Sequence, residues 1–223
     1  MALPQKDGRI LFILCILAVL YAAILILDFS AINPGLSKLL KYAGVCACFV
    51  VAVLLYKNSH SRQGARLLVF GMLFTLVSDA FLLFSNVQAV GIATFMFAHL
   101  CYIKRMRPAA FKAFFAVAAA DILLCAAGLL LRLGLPYVFM LGSVYALLIA
   151  AATVSAFRSN LPKINKRLAC AGMVLFVLCD TSVTISNLAP AGSALALATF
   201  PLIYLFYIPS QACLAMSAGE YKK

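Results

Sequence analysis

Residues 66–86 read RLLVFGMLFTLVSDAFLLFSN, and residues 167–187 read RLACAGMVLFVLCDTSVTISN. Aligned at an offset of 101, they share seven of twenty-one positions without a gap. The matches are Arg66 with Arg167, Leu67 with Leu168, Gly71-Met72 with Gly172-Met173, Asp79 with Asp180, and Ser85-Asn86 with Ser186-Asn187. Most are the least apolar places in each run, so shared hydrophobicity alone does not produce them. At an offset of 105 the likeness continues. Ala93-Thr94-Phe95 falls on Ala198-Thr199-Phe200, Leu100 on Leu205, and Tyr102-Ile103 on Tyr207-Ile208. The chain reads as an internal duplication in which each copy carries one carboxylate deep in an apolar run.

The solvent for such a chain is lipid. Of its 223 residues, 66% are hydrophobic, more than a single core of this size can hide from water. A bilayer core about 30 Å thick needs roughly 20 apolar residues per helix. Such runs are expected at about 10–27, 36–56, 65–85, 89–105, 110–132, 136–157, 167–187 and 193–215. Turn chemistry at Asn33-Pro34-Gly35 and Leu135-Pro136 separates some of them, and polar connectors at 57–62 and 158–163 separate others. The links near 86–90 and 188–192 are short and uncharged, which predicts tight hairpins. Lys6 to Leu27 has a basic start like a signal peptide. Its apolar run is longer than the roughly 7–15 residues of a signal core, so it reads as the first span.

The net charge of +12 is distributed as a topology signal, not as a nucleic-acid surface. With eight spans, fifteen of the eighteen Lys and Arg residues fall on the side of the N-terminus. Only Lys38, Lys41 and Arg132 fall opposite, which predicts both termini in the cytoplasm. A bacterial inner membrane and an endoplasmic reticulum membrane fit equally. Four spans per copy make both halves enter the membrane in the same direction. The expected fold is therefore all-α, a single polytopic membrane domain of eight transmembrane helices. It comprises two parallel four-helix repeats, about 1–106 and 107–215, a pseudo-two-fold axis along the membrane normal, and a short tail at 216–223. The eight cysteines all lie in apolar runs and read as small hydrophobes.

Ionisable groups inside the spans are few: Asp79, Asp180, His99 and Asp121. A carboxylate at depth is costly unless it is solvated, paired or protonated. Asp79 lies about 20 Å along its helix from Arg66, at 1.5 Å per residue, and Asp180 lies at the same level. Two carboxyls related by a central axis can share a site in which only one ionises, giving an acid–base pair. The bland reading is that each aspartate hydrogen-bonds a neighbouring helix.

Neighbouring polar residues extend the candidate site. Thr75, Asp79 and Asn86 share one helical face. Asp180, Thr184 and Asn187 share another, and such faces are expected to point into the bundle. His99 and Tyr102 project together at i, i+3, as do Tyr204, Tyr207 and Gln211. Asn86 and Asn187 can equally be helix caps, and the tyrosines can be interface anchors. Asp121 has no repeat partner and reads as structural. Lys104, Arg105 and Arg107 can bind a phosphate, although topology already calls for cations there. Metal-ligand pairs such as His-x-x-x-His are absent, as are a Gly-x-Ser-x-Gly elbow and nucleotide-binding loops. Acid–base catalysis without a cofactor is the enzymatic option left.

Four motifs carry a family resemblance. Gly71-x7-Asp79, Phe97-x-His99-x-x-Tyr102, Leu175-Phe176-x-x-x-Asp180 and Tyr207-x-x-x-Gln211 resemble the signature blocks of the lysoplasmalogenase (YhhN-like) family. The resemblance spans residues 66–213 in order and spacing. Cys179 stands where the family usually has Ser, and Phe206-Tyr207 where it has Tyr-Tyr. The resemblance implies hydrolysis of the vinyl-ether bond of a lysoplasmalogen, a lysophospholipid held among membrane lipids, with no metal. It implies Asp79 and Asp180 as catalytic groups. His99, Tyr102, Tyr207 and Gln211 would tune protonation and orient substrate. The rival classes are a proton-coupled transporter, which also uses repeats and deep carboxylates, and a non-catalytic lipid-binding protein.

Overall fold

The computed structural model describes residues 8–59, 61–85, 87–108, 111, 115–116, 119–120, 122–123, 126–127 and 137–221. Among the described residues the chain is all-helical, with seven long helices. They are α1 Gly8–Phe29, α2 Pro34–Tyr56, α3 Arg62–Phe84, α4 Gln88–Met106, α5 Tyr137–Phe157, α6 Lys163–Leu188 and α7 Ala194–Met216. Seven of the eight expected spans fall on these helices. The fifth, 110–132, lies largely outside the described residues, as do Asp121, Asn86, His60 and the 135–136 turn. Five helices, α1, α2, α3, α6 and α7, are long and apolar enough to cross a membrane.

The helix starts follow from local chemistry. Asn33 adopts a left-handed φ of 47° and accepts a hydrogen bond from the Leu36 N–H. Pro34 opens α2 at a position where its missing N–H costs nothing. Ser61 and Ser193 cap α3 and α7 in the same manner, accepting from Gly64 N–H and Ala196 N–H at 3.2 Å each. α6 begins at Lys163, a turn earlier than its apolar run, because Pro162 ends the preceding connector. Large apolar side chains cover the outside: Phe12, Val19 and Leu197 are each about two-thirds exposed or more. An apolar exterior of this extent is the surface of a protein bathed in lipid.

α7 packs against α1, α2, α3 and α6, and α4 packs between α3 and α5. Two glycines set the closest approaches. A Cβ on Gly71 would lie 2.4 Å from the Tyr102 ring, and one on Gly172 would lie 2.8 Å from Leu214. These are the glycines matched at the 101-residue offset, and each lets the next helix but none bulkier come close. Gly71→Ala is expected to destabilise the fold by about 1–3 kcal/mol through overpacking against a fully buried ring. The apparent melting temperature in detergent would show it.

Two polar ties brace opposite ends. At one end the Arg105 guanidinium donates to Ser217 Oγ and Ser217 O, both at 2.7 Å. Asn165 Nδ2 donates to the carbonyls of Ser217 and Gly219. Arg105 thereby ties the end of α4 to the C-terminal end of α7. At the other end, Lys41 Nζ lies 2.9 Å from Asp28 Oδ1, and both side chains are buried. Asp28 was not among the deep ionisable groups expected from sequence, and Lys41 was read as a topology marker. Instead, the two form a buried ion pair between α1 and α2.

Candidate active site

The buried stripe of α3 runs through Leu68, Gly71, Met72, Thr75, Ser78 and Asp79, the i, i+3, i+4 spacing of one helical face. Asp79 closes that stripe and is 3% exposed. Its Oδ2 accepts a hydrogen bond from the Tyr207 hydroxyl of α7 at 2.6 Å. The corresponding stripe of α6 runs through Gly172, Met173, Phe176 and Cys179, with half-buried Asp180 at its flank. Asp180 Oδ2 accepts from the Tyr145 hydroxyl of α5 at 2.5 Å. Among the described residues neither carboxylate forms an ion pair.

His99 joins the second tyrosine, its Nε2 lying 3.3 Å from the Tyr145 oxygen. The single phenolic proton of Tyr145 goes to Asp180, so Nε2–H is the donor in this contact. Nδ1 is then left as a lone-pair acceptor, buried and without a hydrogen-bond partner among the described residues. One turn beyond Tyr207, the Gln211 amide is also buried, with neither its O nor its N partnered among the described residues. Buried polar atoms with unmet capacity are uncommon in native structures and mark where a ligand or substrate group can bind.

No hydrogen bond joins the two carboxylates; each accepts from its own tyrosine. Sequence reasoning expects the two carboxyls to share a site, and aromatic rings connect the two tyrosines that hold them. Phe95 contacts Tyr145 and Tyr207 at centroid distances of 6.2 and 6.4 Å, and Phe176 at 5.7 Å. Phe176 in turn contacts Tyr207 at 5.7 Å and His99 at 4.9 Å. The result is one cluster with a carboxylate and its phenol donor at either end, and His99 inside.

Of the residues expected at the site, Asp79, Tyr207, His99 and Asp180 meet in this cluster, and Gln211 flanks it. Tyr102 is fully buried, but its hydroxyl lies 3.3 Å from Thr75 Oγ1, and neither aspartate is its partner. Thr184 and Asn187 were expected on an inward face and are exposed. The Thr184 hydroxyl donates to the Asp180 carbonyl of its own helix at 2.8 Å, so it can face lipid without an unmet donor. Asn86 lies outside the described residues. Sequence reasoning missed Tyr145, although a tyrosine in the middle of an apolar run needs a partner for its hydroxyl.

A family model described as the YhhN family matches residues 36–218, which takes in every helix from α3 to α7 and nearly all of α2. No curated protein and no solved structure matches the chain. The matched stretch contains both aspartates, His99, Tyr145, Tyr207 and Gln211, and on it the chain belongs to the YhhN family.

Proposed function

We propose that this protein is an intramembrane hydrolase that cleaves the vinyl-ether bond of lysoplasmalogens. The products are a fatty aldehyde and glycerophosphoethanolamine or glycerophosphocholine. The observation that carries the reading is the pair of deep carboxylates at two ends of one aromatic cluster, each holding a phenol hydrogen bond and, among the described residues, no cation. In this reading the chain spans the membrane eight times as two parallel repeats with both termini cytoplasmic. The fifteen-to-three charge split and the matched glycine approaches at Gly71 and Gly172 support that arrangement.

The chemistry suits the inventory. One aspartate in its acid form delivers a proton to the vinyl-ether carbon remote from oxygen. The double-bond electrons form the new C–H bond, and the positive charge settles on the carbon–oxygen unit. Ring faces of Phe95 and Phe176 and the ionised second aspartate stabilise that oxocarbenium ion. Water adds to it and gives its proton to the ionised carboxylate. The hemiacetal then breaks its bond to the glycerol oxygen, which takes up the hydroxyl proton, and the aldehyde leaves. One carboxyl has lost a proton and the other has gained one, so the pair keeps its total charge.

Purified protein incubated with a lysoplasmalogen should release aldehyde, and a lysophospholipid with an ester in place of the vinyl ether should not yield it. Lack of aldehyde would overturn the reading, and substrate flux across proteoliposomes without hydrolysis would favour a transporter. The tyrosines separate further. Tyr145→Phe removes the donor to Asp180, a loss of about 1.5–3 kcal/mol that corresponds to roughly ten- to hundredfold in rate. Tyr102→Phe removes a hydroxyl contact to Thr75 alone and should cost turnover no more than about tenfold, since a neutral hydrogen bond is worth about 0.5–1.5 kcal/mol net. Steady-state rates of the two variants check both expectations.

A further inference from the structure

A cavity of about 580 Å³ lies between the α1–α2 turn, the end of α3 and the first turns of α7. Its polar wall is Asp28, Ser37, Lys38 and Lys41, and most of the rest is apolar. The ion pair in that wall is lopsided. Lys41 Nζ, at 2.9 Å, and the Ser37 hydroxyl, at 2.6 Å, both bond Asp28 Oδ1. Asp28 Oδ2 is buried and has no hydrogen-bond partner among the described residues. The Lys41 ammonium also sits 4.2 Å from the Tyr204 ring centroid and 5.1 Å from that of Phe200. Aromatic faces hold a cation in place without using its N–H donors in hydrogen bonds to oxygen. Lys38 adds a second, exposed cation. The wall therefore offers ammonium donors for an anion and a free carboxylate oxygen for a cation.

The cavity adjoins the Asp79 end of the aromatic cluster. Leu82 and Leu83, which line it, lie one helical turn beyond Asp79. Tyr204, which also lines it, packs edge-on to Tyr207 at 5.7 Å, and Tyr207 is the hydroxyl donor to Asp79. A turn of helix is about 5.4 Å, a separation that a glycerol backbone can bridge.

We infer that this cavity holds the zwitterionic phosphoethanolamine head group of a lysophospholipid, with the phosphate on Lys41 and Lys38 and the ammonium on Asp28 Oδ2. The inference rests on the hydrolase reading for the identity of the ligand, and it locates the end of the substrate that does not react. The apolar walls take the start of the chain, and the glycerol leads toward Asp79. The buried ion pair is then both a brace between α1 and α2 and the recognition element for the head group.

Binding of a saturated 1-O-alkyl lysophosphoethanolamine, which has no vinyl ether to cleave, tests the site apart from catalysis. Wild-type protein in detergent should bind it and gain thermal stability. Lys38→Ala, at an exposed position, should raise its Kd roughly two- to fivefold. Asp28→Asn keeps an acceptor for Ser37 but removes the negative charge. Among the variant molecules that elute folded, it should weaken the phosphoethanolamine ligand roughly tenfold and shift preference to the 1-O-alkyl lysophosphatidate. Unchanged Kd values in Lys38→Ala, or the wild-type head-group order in folded Asp28→Asn, would overturn the site. So would inorganic phosphate or glycerophosphoethanolamine binding as tightly as the lipid, since the site would then serve a soluble phosphate compound. The two readings fail separately. Analogue binding that depends on Lys38, with no aldehyde from the vinyl ether, removes the hydrolase reading alone. Aldehyde release with binding insensitive to both variants removes the head-group site alone.

Discussion

Asp79→Asn and Asp180→Asn are each expected to cut aldehyde release by about 10²–10⁴-fold, the usual contribution of a positioned acid or base. The substitution is chosen for what it preserves. An Asn side chain has the shape of Asp, and its carbonyl oxygen still accepts from Tyr207 or from Tyr145. The aromatic packing between the two positions is untouched, so each variant should elute as the wild-type species and melt near its temperature. What disappears is the ability to give or take a proton. Because one turnover moves a proton out of one carboxyl and into the other, losing either should be nearly as damaging as losing both. The double variant should therefore fall little further than the worse single one, a non-additivity expected of groups that act as a unit. A folded single variant that turns over at close to the wild-type rate would exclude the paired mechanism. A structural role for the aspartates predicts the opposite pattern, lowered melting temperature with a proportionate loss of activity.

The second large effect is on stability. Lys41→Met strips the Asp28 carboxylate of its cation while leaving it buried, with Ser37 as its remaining donor. Breaking a buried pair by removing one member typically costs about 3–5 kcal/mol, because an uncompensated charge stays behind. Replacing both members by apolar residues of similar size removes the charge altogether and is often neutral or stabilising. The double variant Asp28→Leu with Lys41→Met should thus recover most of the stability lost in Lys41→Met, as read from thermal denaturation in detergent. Asp28→Asn should be milder than Lys41→Met, since the stranded Lys41 keeps the Tyr204 and Phe200 ring faces. A double variant that melts no higher than Lys41→Met would mean that the pair contributes directional contacts beyond charge balance.

Much of the layout was legible without coordinates. Apolar runs of the length a bilayer demands marked the helices, and turn residues such as Asn33-Pro34 marked their starts. Hydrophobicity is a one-dimensional property that lipid enforces residue by residue, so a window along the chain captures it. The two aspartates stood out for the same reason, being expensive where they are. Misreadings arose where polarity was taken as a compass. Thr184, and Thr181 beside it, are exposed, and each returns its hydroxyl to a carbonyl four residues back on α6, at 2.8 Å. Their polarity is satisfied locally and says nothing about which way the face points. Lys41 misled in the opposite sense, since a cation near a helix end looks like a topology marker until its partner on α1 is seen.

From composition, hydropathy and the internal offset alone came the helical class, most helix limits and the two acids worth testing. These are local or periodic features, and the bilayer and the backbone hydrogen bond read them without reference to distant residues. The partners of those acids came only from the packed arrangement. Tyr145 is 35 residues from Asp180 and Tyr207 is 128 from Asp79. The Phe95 and Phe176 rings, which join the cluster of the two phenol donors, are also far apart in the chain. Helix rotation and order of packing place those groups, and both follow from the sum of many side-chain contacts such as Tyr102 on Gly71. No single stretch of the chain encodes that sum.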